Sequence, residues 1–319
     1  MEKQIIRYKS VDARKPDSQY ENLLRETLNY GNKKTSIHAS LSENENSGHK
    51  YCLELPCRLL SYDLTNGVPV SPIRDLGKYK LWQGAIGEII GFINGARTLE
   101  QLMSFGCPES FWKRWVTEEK CARWGLPEGD LGPGSYGPML TAMPLANGKT
   151  FNQIDALISQ MKQNPLLRTN LLTTWYPPFA LGDKAQGSPR QVVVAPCHGN
   201  IVQFDVMDDR TVNMTVYQRS SDNAVGLVLN LTEWVAIGMM VAYCTDTQFT
   251  YYGHVLPNPQ MYDIQKEAIE KLLLREPRTL PSLYLRPKRD IVSITDFRVE
   301  DFELEDYNPY PWMQVPTLI

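Results

Sequence analysis

The chain has 319 residues, of which 42% are hydrophobic and 22% charged, with a formal net charge of −3. That length supplies a substantial core in one large domain or at most two, and the faintly acidic balance argues against broad nucleic-acid binding, which needs a basic excess. Six cysteines without C-x-x-C spacing argue against a disulfide framework or a zinc site, so no metal is expected and reduced cytoplasmic thiols fit.

Residues 1–19 are polar and read as a loosely held extension. Met1-Glu2-Lys3-Gln4 runs straight into polar sequence, without the pattern of a secretory leader. Residues 20–30, with Leu23, Leu24 and Leu28, predict a short amphipathic helix stopped at Gly31-Asn32. The Ser-, Asn- and Glu-rich stretch 33–50 reads as a mobile loop. Residues 51–64 read as strand, with a turn at Asn66-Gly67. Residues 81–94 predict a helix with the apolar stripe Ile86, Ile89, Ile90 and Ile93, and Glu88 inside it. A second helix, 98–105, starts on the cap residue Thr98. Trp112, Trp115 and Trp124 follow, and 129–137 is a Gly-rich loop.

Residues 150–163 predict a helix, with Ile154, Leu157, Ile158 and Met161 on one face, closed by Asn164-Pro165. Residues 169–175 are β-prone. After the Pro/Gly-rich loop 177–189, the run 191–195 predicts a strand ending at Pro196-Cys197-His198. A second strand, 212–217, follows a hairpin turn at Asp208-Asp209. An apolar helix begins near Asn230. Its window 227–244 carries Asn230, Thr232 and Glu233, which suits a buried core helix better than a membrane span. Residues 261–274 predict the last helix, and 291–305 an acidic, strand-like tail. With no internal repeat or linker, residues 1–319 read as one domain.

Cys197 is the first candidate for chemistry. A free cysteine is most often a small buried hydrophobe. Here it ends an apolar run and lies a strand pair from Arg219, whose guanidinium would stabilise the reactive thiolate. A protease-like Cys-His dyad with His198 is disfavoured, because adjacent residues on a strand point to opposite faces. Arg219-Ser220 has the donors of a phosphate clamp, although such a pair is more often a surface ion pair. Asn230 serves equally as a ring-reading amide or a helix cap. Glu88, buried among apolar residues, reads as a proton-transfer carboxyl or as half of a structural pair. The tryptophans suit stacking a flat cofactor, but core packing is the commoner use.

Taken together, Pro196-Cys197-His198, Gln218-Arg219-Ser220-Ser221-Asp222 with Gly226 and Asn230, and Arg275-Glu276-Pro277-Arg278-Thr279-Leu280-Pro281 resemble the thymidylate synthase family. So do Gly129-Asp130-Leu131-Gly132-Pro133 with Tyr136, Asn164-Pro165 with Arg168, and Phe297-Arg298-Val299-Glu300-Asp301-Phe302. The resemblance runs in order from about residue 20 to 319. It implies an α+β fold, a large twisted mixed sheet flanked by helices, and a homodimer formed by sheet-on-sheet packing. It also implies one-carbon transfer from 5,10-methylenetetrahydrofolate to C5 of a pyrimidine nucleoside 5′-monophosphate. In that scheme Cys197 adds to C6, and Glu88, Asn230 and Tyr136 manage protons and polarity at the ring. The nucleotide contacts fall on Arg219, Ser220, Gln218, Asp222, Asn230, His198, Gln260 and Tyr262, with Arg168 reaching the phosphate of the other subunit. The folate-facing positions are Asp222, Gly226, Trp112, Trp115 and Arg74.

The departures are local. The Arg-Thr-Gly-Thr signature is replaced by residues 33–49, the double arginine is Arg168-Thr169, and Gly137-Pro138-Met139-Leu140 stands for the usual Gln-Trp-Arg run. The His-x-Tyr of the sugar site is Gln260-Met261-Tyr262, and 180–190 reads as an insertion. The pattern is similar to that of pyrimidine-nucleotide hydroxymethylases, in which water rather than hydride captures the exocyclic methylene. Hydroxymethylation is therefore the favoured expectation, thymidylate formation the alternative, and a non-catalytic nucleotide-binding relative the third. Asn230 leans toward uracil because an amide donates and accepts at once. A flipped amide and the altered sugar contacts leave a cytosine ribonucleotide open.

Overall fold

Strand 201–206 alternates between inward Val202, Phe204 and Val206 and outward Ile201, Gln203 and Asp205, the period-two pattern of a sheet with one covered face. It turns through Asp208-Asp209 into strand Thr211–Tyr217, with Arg210 in the left-handed region at φ 65°. These two strands are the middle of a five-stranded mixed sheet in the computed structural model, which describes residues 3–35, 50–182, 187 and 190–317. The sheet order is Arg58–Asp63, Gln248–Leu256, Thr211–Tyr217, Ile201–Val206 and Leu171–Leu172. Only the pairing of Gln248–Leu256 with Thr211–Tyr217 is parallel within it, broken by a bulge between Phe249 and Tyr251. Leu59, Leu171, Ile201 and Tyr217 stand exposed on its strands.

A four-stranded sheet lies beyond: Asn32–Thr35, Tyr51–Glu54, Pro259–Tyr262 and Ser221–Asp222. It brings Asp222 opposite Gln260. The loop expected over 33–50 thus begins as strand at 33–35, and 36–49 lie outside the described residues. The helix expected from 261 starts only at Lys266 and ends at Leu272, because Pro259–Tyr262 is claimed by strand pairing. The strand-like tail contracts to Phe302–Glu305, paired with Ser282–Leu285.

The helix Gly226–Thr245 runs through the core and packs against helix Leu81–Ile93 and strand Gln248–Leu256. It is long and apolar enough to cross a membrane by length and composition, yet it is covered by protein along most of its length. Helices Gln19–Tyr30, Leu99–Ser104 and Gln153–Gln163 form as expected, the second with Thr98 and Gln101 in a reciprocal capping box. Residues 150–151 pair with Met143–Pro144 instead of joining the helix, which Asn152 caps. The N-terminal segment is not loose. Ile5 and Ile6 are core residues, and buried Arg14 donates to Leu280 O and Ser282 Oγ.

Candidate active site

Residues 191–195 were expected to be a strand, but they are irregular chain, and the hydrogen bonding explains why. Gln191 O accepts from Gly134 N and Val193 N donates to Leu131 O, so the Gly-rich loop takes the place of a neighbouring strand. The next carbonyls are satisfied by guanidinium groups: Arg190 donates to Val192 O and Val193 O, each at 2.9 Å. Arg219 donates through Nε to Pro196 O and through Nη2 to Ala195 O, each at 2.8 Å. Asn200 Nδ2 also donates to Pro196 O, while its Oδ1 accepts from Arg219 N. A proline without an N–H leaves its carbonyl as the only handle, and here it is held twice.

The turn after the cysteine needs Gly199. Its φ is +59°, and a Cβ there would lie 2.0 Å from the Trp234 ring. Trp234 in turn donates from Nε1 to His198 Nδ1 at 3.1 Å. His198 is therefore turned into the core with its proton on Nε2, and burial drops its pKa to about 3, so it is neutral. The imidazole faces Trp234 and Glu233 rather than the thiol, in keeping with the absence of a Cys-His dyad.

Cys197 is partly exposed. The Tyr136 hydroxyl accepts from Cys197 N at 2.8 Å and sits 3.4 Å from Cys197 Sγ. The Tyr136 ring is sandwiched between Phe92 and His198, with centroids 4.6 Å away on both sides. Burial pushes the thiol pKa up, while Tyr136 and then Arg219 pull it down. The nucleophile is thus stored largely as thiol, with two groups positioned to favour the thiolate once it forms.

One wall of the site carries two buried carboxyls. Glu88 accepts from Trp112 Nε1 at 2.5 Å, and burial raises its pKa to about 7. Glu233 faces Glu88, and burial followed by the repulsion of Glu88 raises its pKa well above the usual carboxylate range. Two such groups in contact share a proton, and Glu233 is the one that keeps it. Asn230 Nδ2 donates to Glu233 Oε1 at 3.3 Å, and Asn230 Oδ1 accepts from Gln218 Nε2 at 3.1 Å. Asn230 is not a helix cap: the helix begins at Gly226, and Asn230 lies inside its second turn. Glu233 was missed as a site residue, although a glutamate three residues after Asn230 in an otherwise apolar helix was a readable signal.

Ser220 donates from its backbone N to Cys197 O at 3.4 Å, and its hydroxyl accepts from Gln260 Nε2 at 3.2 Å. Tyr262 is buried on the same strand as Gln260. Asp222 accepts from Gln265 Nε2 and from Ala224 N and Val225 N, yet burial outweighs these bonds and lifts its pKa to about 6. Arg74 is buried and donates from Nη2 to Ala224 O at 2.7 Å, while its Nε has no partner among the described residues. A Cβ on Gly226 would make only ordinary contacts, with Asn230 Oδ1 at 3.7 Å and Asp222 Cβ at 4.0 Å. Trp112 is buried against Phe92 and Tyr136, whereas Trp115 is half-buried under Lys120. Arg168 is exposed on the loop before Leu171–Leu172, and no contact among the described residues joins it to the Cys197 cluster. Among the described residues, no group of three or more His, Cys, Asp and Glu side chains is arranged to hold a metal ion.

The arrangement can add sulfur to an electrophilic ring, exchange protons beside it and hold an anion near Arg219. The family model that matches the chain is that of thymidylate synthase, over residues 18–319.

Proposed function

The chain belongs to the thymidylate synthase family, which makes it a one-carbon transferase, and from that premise we propose that it hydroxymethylates a pyrimidine nucleoside 5′-monophosphate at C5. The observation that carries this reading is the Tyr136 hydroxyl bound to both the backbone and the sulfur of Cys197, beside the Arg219 guanidinium. Such a thiol adds to C6 of the ring, and electron density released to C5 makes that carbon the nucleophile. The one-carbon unit is taken from 5,10-methylenetetrahydrofolate. Asp222, Gly226, Arg74, Trp112 and Trp115 form the folate side, where the unpartnered Arg74 Nε fits an anionic or carbonyl group. Tyr136 and Arg219 stabilise the thiolate, and Glu88 takes up the proton lost from C5.

Arg219 has N–H groups left after binding two carbonyls, and with Ser220 these receive the 5′-phosphate. Gln260 and Tyr262 face the sugar, and Arg168 reaches the phosphate of a second copy. The exposed apolar residues Leu59, Leu171, Ile201 and Tyr217 on the five-stranded sheet supply the surface for a homodimer of cytoplasmic chains. Water as the nucleophile that captures the exocyclic methylene is supported by the extra buried carboxyl Glu233, which makes the wall beside the reacting carbon polar. Reduction to the methyl product is the competing reading.

Incubating the protein with each pyrimidine monophosphate and the folate donor, then weighing the product, tests this. A gain of CH2O with tetrahydrofolate as co-product is expected, and Cys197→Ala is expected to abolish it while nucleotide binding persists. A methyl product with an absorbance rise from dihydrofolate would replace hydroxymethylation by thymidylate synthesis. Turnover by Cys197→Ala would end the covalent scheme.

A further inference from the structure

We propose that Glu233 is a positioning residue that sets base specificity, by locking the Asn230 amide in the one orientation complementary to a 4-oxo pyrimidine with a protonated N3. The inference rests on the reading of Cys197 and Glu88 as the groups that serve C6 and C5.

The orientation follows from a chain of hydrogen bonds with a fixed direction. Gln218 Nε2 donates to Ser220 O at 3.1 Å, and a backbone carbonyl can only accept, so the Gln218 amide cannot be reversed. Its Oε1 then faces His254 Nε2 at 2.8 Å and accepts from it. His254, fully buried, is left with Nδ1 to accept from the Tyr252 hydroxyl. At the other end, Gln218 Nε2 also donates to Asn230 Oδ1 at 3.1 Å. A flipped Asn230 would set two N–H groups against each other there. Asn230 Nδ2 is thereby turned toward Glu233, which accepts from it at 3.3 Å and is hydrogen-bonded onward to Glu88. Five buried side chains thus tie the amide from both sides.

After these bonds Asn230 keeps one N–H on the Glu88 side and one oxygen lone pair on the Gln218 side. Around a pyrimidine the order is C6, C5, C4, N3. The end of the amide nearer the carboxyls that serve C5 therefore meets the substituent on C4, and the other end meets N3. A donor at C4 and an acceptor at N3 fit a carbonyl and an N–H. A 4-amino group with a bare N3 would oppose donor to donor and acceptor to acceptor. In most settings an amide escapes this by flipping; here the flip would break contacts with both Gln218 and Glu233.

The test compares uridine and cytidine 5′-monophosphates, ribo and deoxy, by kcat/KM from tritium release at C5 and by calorimetric Kd. The full-length protein is expected to favour the uracil nucleotides by at least about a hundredfold. Glu233→Gln should keep that ratio, since a glutamine imitates a protonated carboxyl, accepting from Asn230 and donating to Glu88. Glu233→Ala should shrink the ratio by at least about tenfold, because it frees the amide to turn. Gln218→Met removes the donor that holds Asn230 Oδ1 and should shrink the ratio as well, which keeps the proposal testable if Glu233→Ala does not fold. A preference of the wild type for cytosine, or an unchanged ratio in both disrupting variants, overturns the lock. Failure of every nucleotide to release tritium would instead refute the catalytic reading, while the calorimetric ratio would still score the lock.

Discussion

Replacing Tyr136 with Phe removes a single oxygen and leaves the stack between Phe92 and His198 in place. That oxygen has two duties: it accepts from Cys197 N at 2.8 Å, and it lies 3.4 Å from the sulfur, where it donates once the thiolate forms. A hydrogen bond to a charged group contributes about 1.5–3 kcal/mol. At about 1.4 kcal/mol per pKa unit, its loss raises the thiol pKa by roughly one to two units. The direction follows from Tyr136 lowering the Cys197 pKa in the native protein. At neutral pH the thiolate fraction then falls about 10- to 100-fold. The stranded Cys197 N–H costs a further ~1–3 kcal/mol of stability. The assay is the rate of iodoacetamide alkylation against pH, with Cys197 identified by peptide mass spectrometry because Cys57 is exposed as well. No substrate is needed, so the outcome is independent of which reaction the site performs. An alkylation profile that superimposes on that of the wild type would refute the assignment of Tyr136 as the group that tunes the sulfur.

Gly199→Ala combines a left-handed residue, about 1–2 kcal/mol, with overpacking against Trp234, about 1–3 kcal/mol, so a denaturant titration should show a loss of roughly 2–5 kcal/mol. Arg219→Lys cannot span Ala195 O and Pro196 O with one ammonium. Calorimetry should show a nucleoside 5′-monophosphate binding about 10- to 100-fold more weakly, while the unphosphorylated nucleoside binds as before. The carboxyl pair predicts a pH effect on stability. Glu88 has its pKa raised from the ordinary 4.5 to about 7, so between those values the unfolded chain has released a proton the folded chain still holds, and stability falls as pH rises. Thermal unfolding across that window should show the fall, Glu88→Gln should make it shallower while Glu233 and Glu21, whose pKa values burial also raises, still contribute, and a rising Tm would contradict the protonated pair.

How much of this was legible in the sequence depended on whether a signal was local. Thr98 and Gln101 announce their own helix, and the alternation in 201–206 announces its own strand, because the groups involved are neighbours in the chain. Residues 191–195 carried equally good strand propensity and form none, because their carbonyls are taken by the neighbouring Arg190 and by Arg219 and the Gly-rich loop, which are distant in the chain. Residues 261–262 were absorbed into an expected helix for the same reason: the strand Pro259–Tyr262 exists only because Tyr51–Glu54 and Ser221–Asp222 lie on either side. Ile5 and Ile6 looked like part of a polar extension until the Ile5 carbonyl met Phe249 N.

The site divides along the same line. Cys197, Arg219, Ser220 and Asn230 were readable as residue types at a spacing, and the fold does bring them together. What spacing could not supply is direction: which end of an amide faces the ring, where the imidazole proton sits, and which of two carboxyls is neutral. Those depend on partners up to well over a hundred residues apart, such as Glu88 and Glu233 on facing helices, or Tyr136 between Phe92 and His198. Glu233 illustrates the cost of reading a helix only for its apolarity. A carboxyl that stays buried in a core helix has to be neutral or partnered, and here it is both, protonated against Glu88 and bonded to Asn230. The same buried chain that would be an expensive way to fill a core becomes economical if its product is a single fixed amide. That is the physical reason to look for the determinant of base choice at Glu233 and Gln218, the two residues that hold the Asn230 amide.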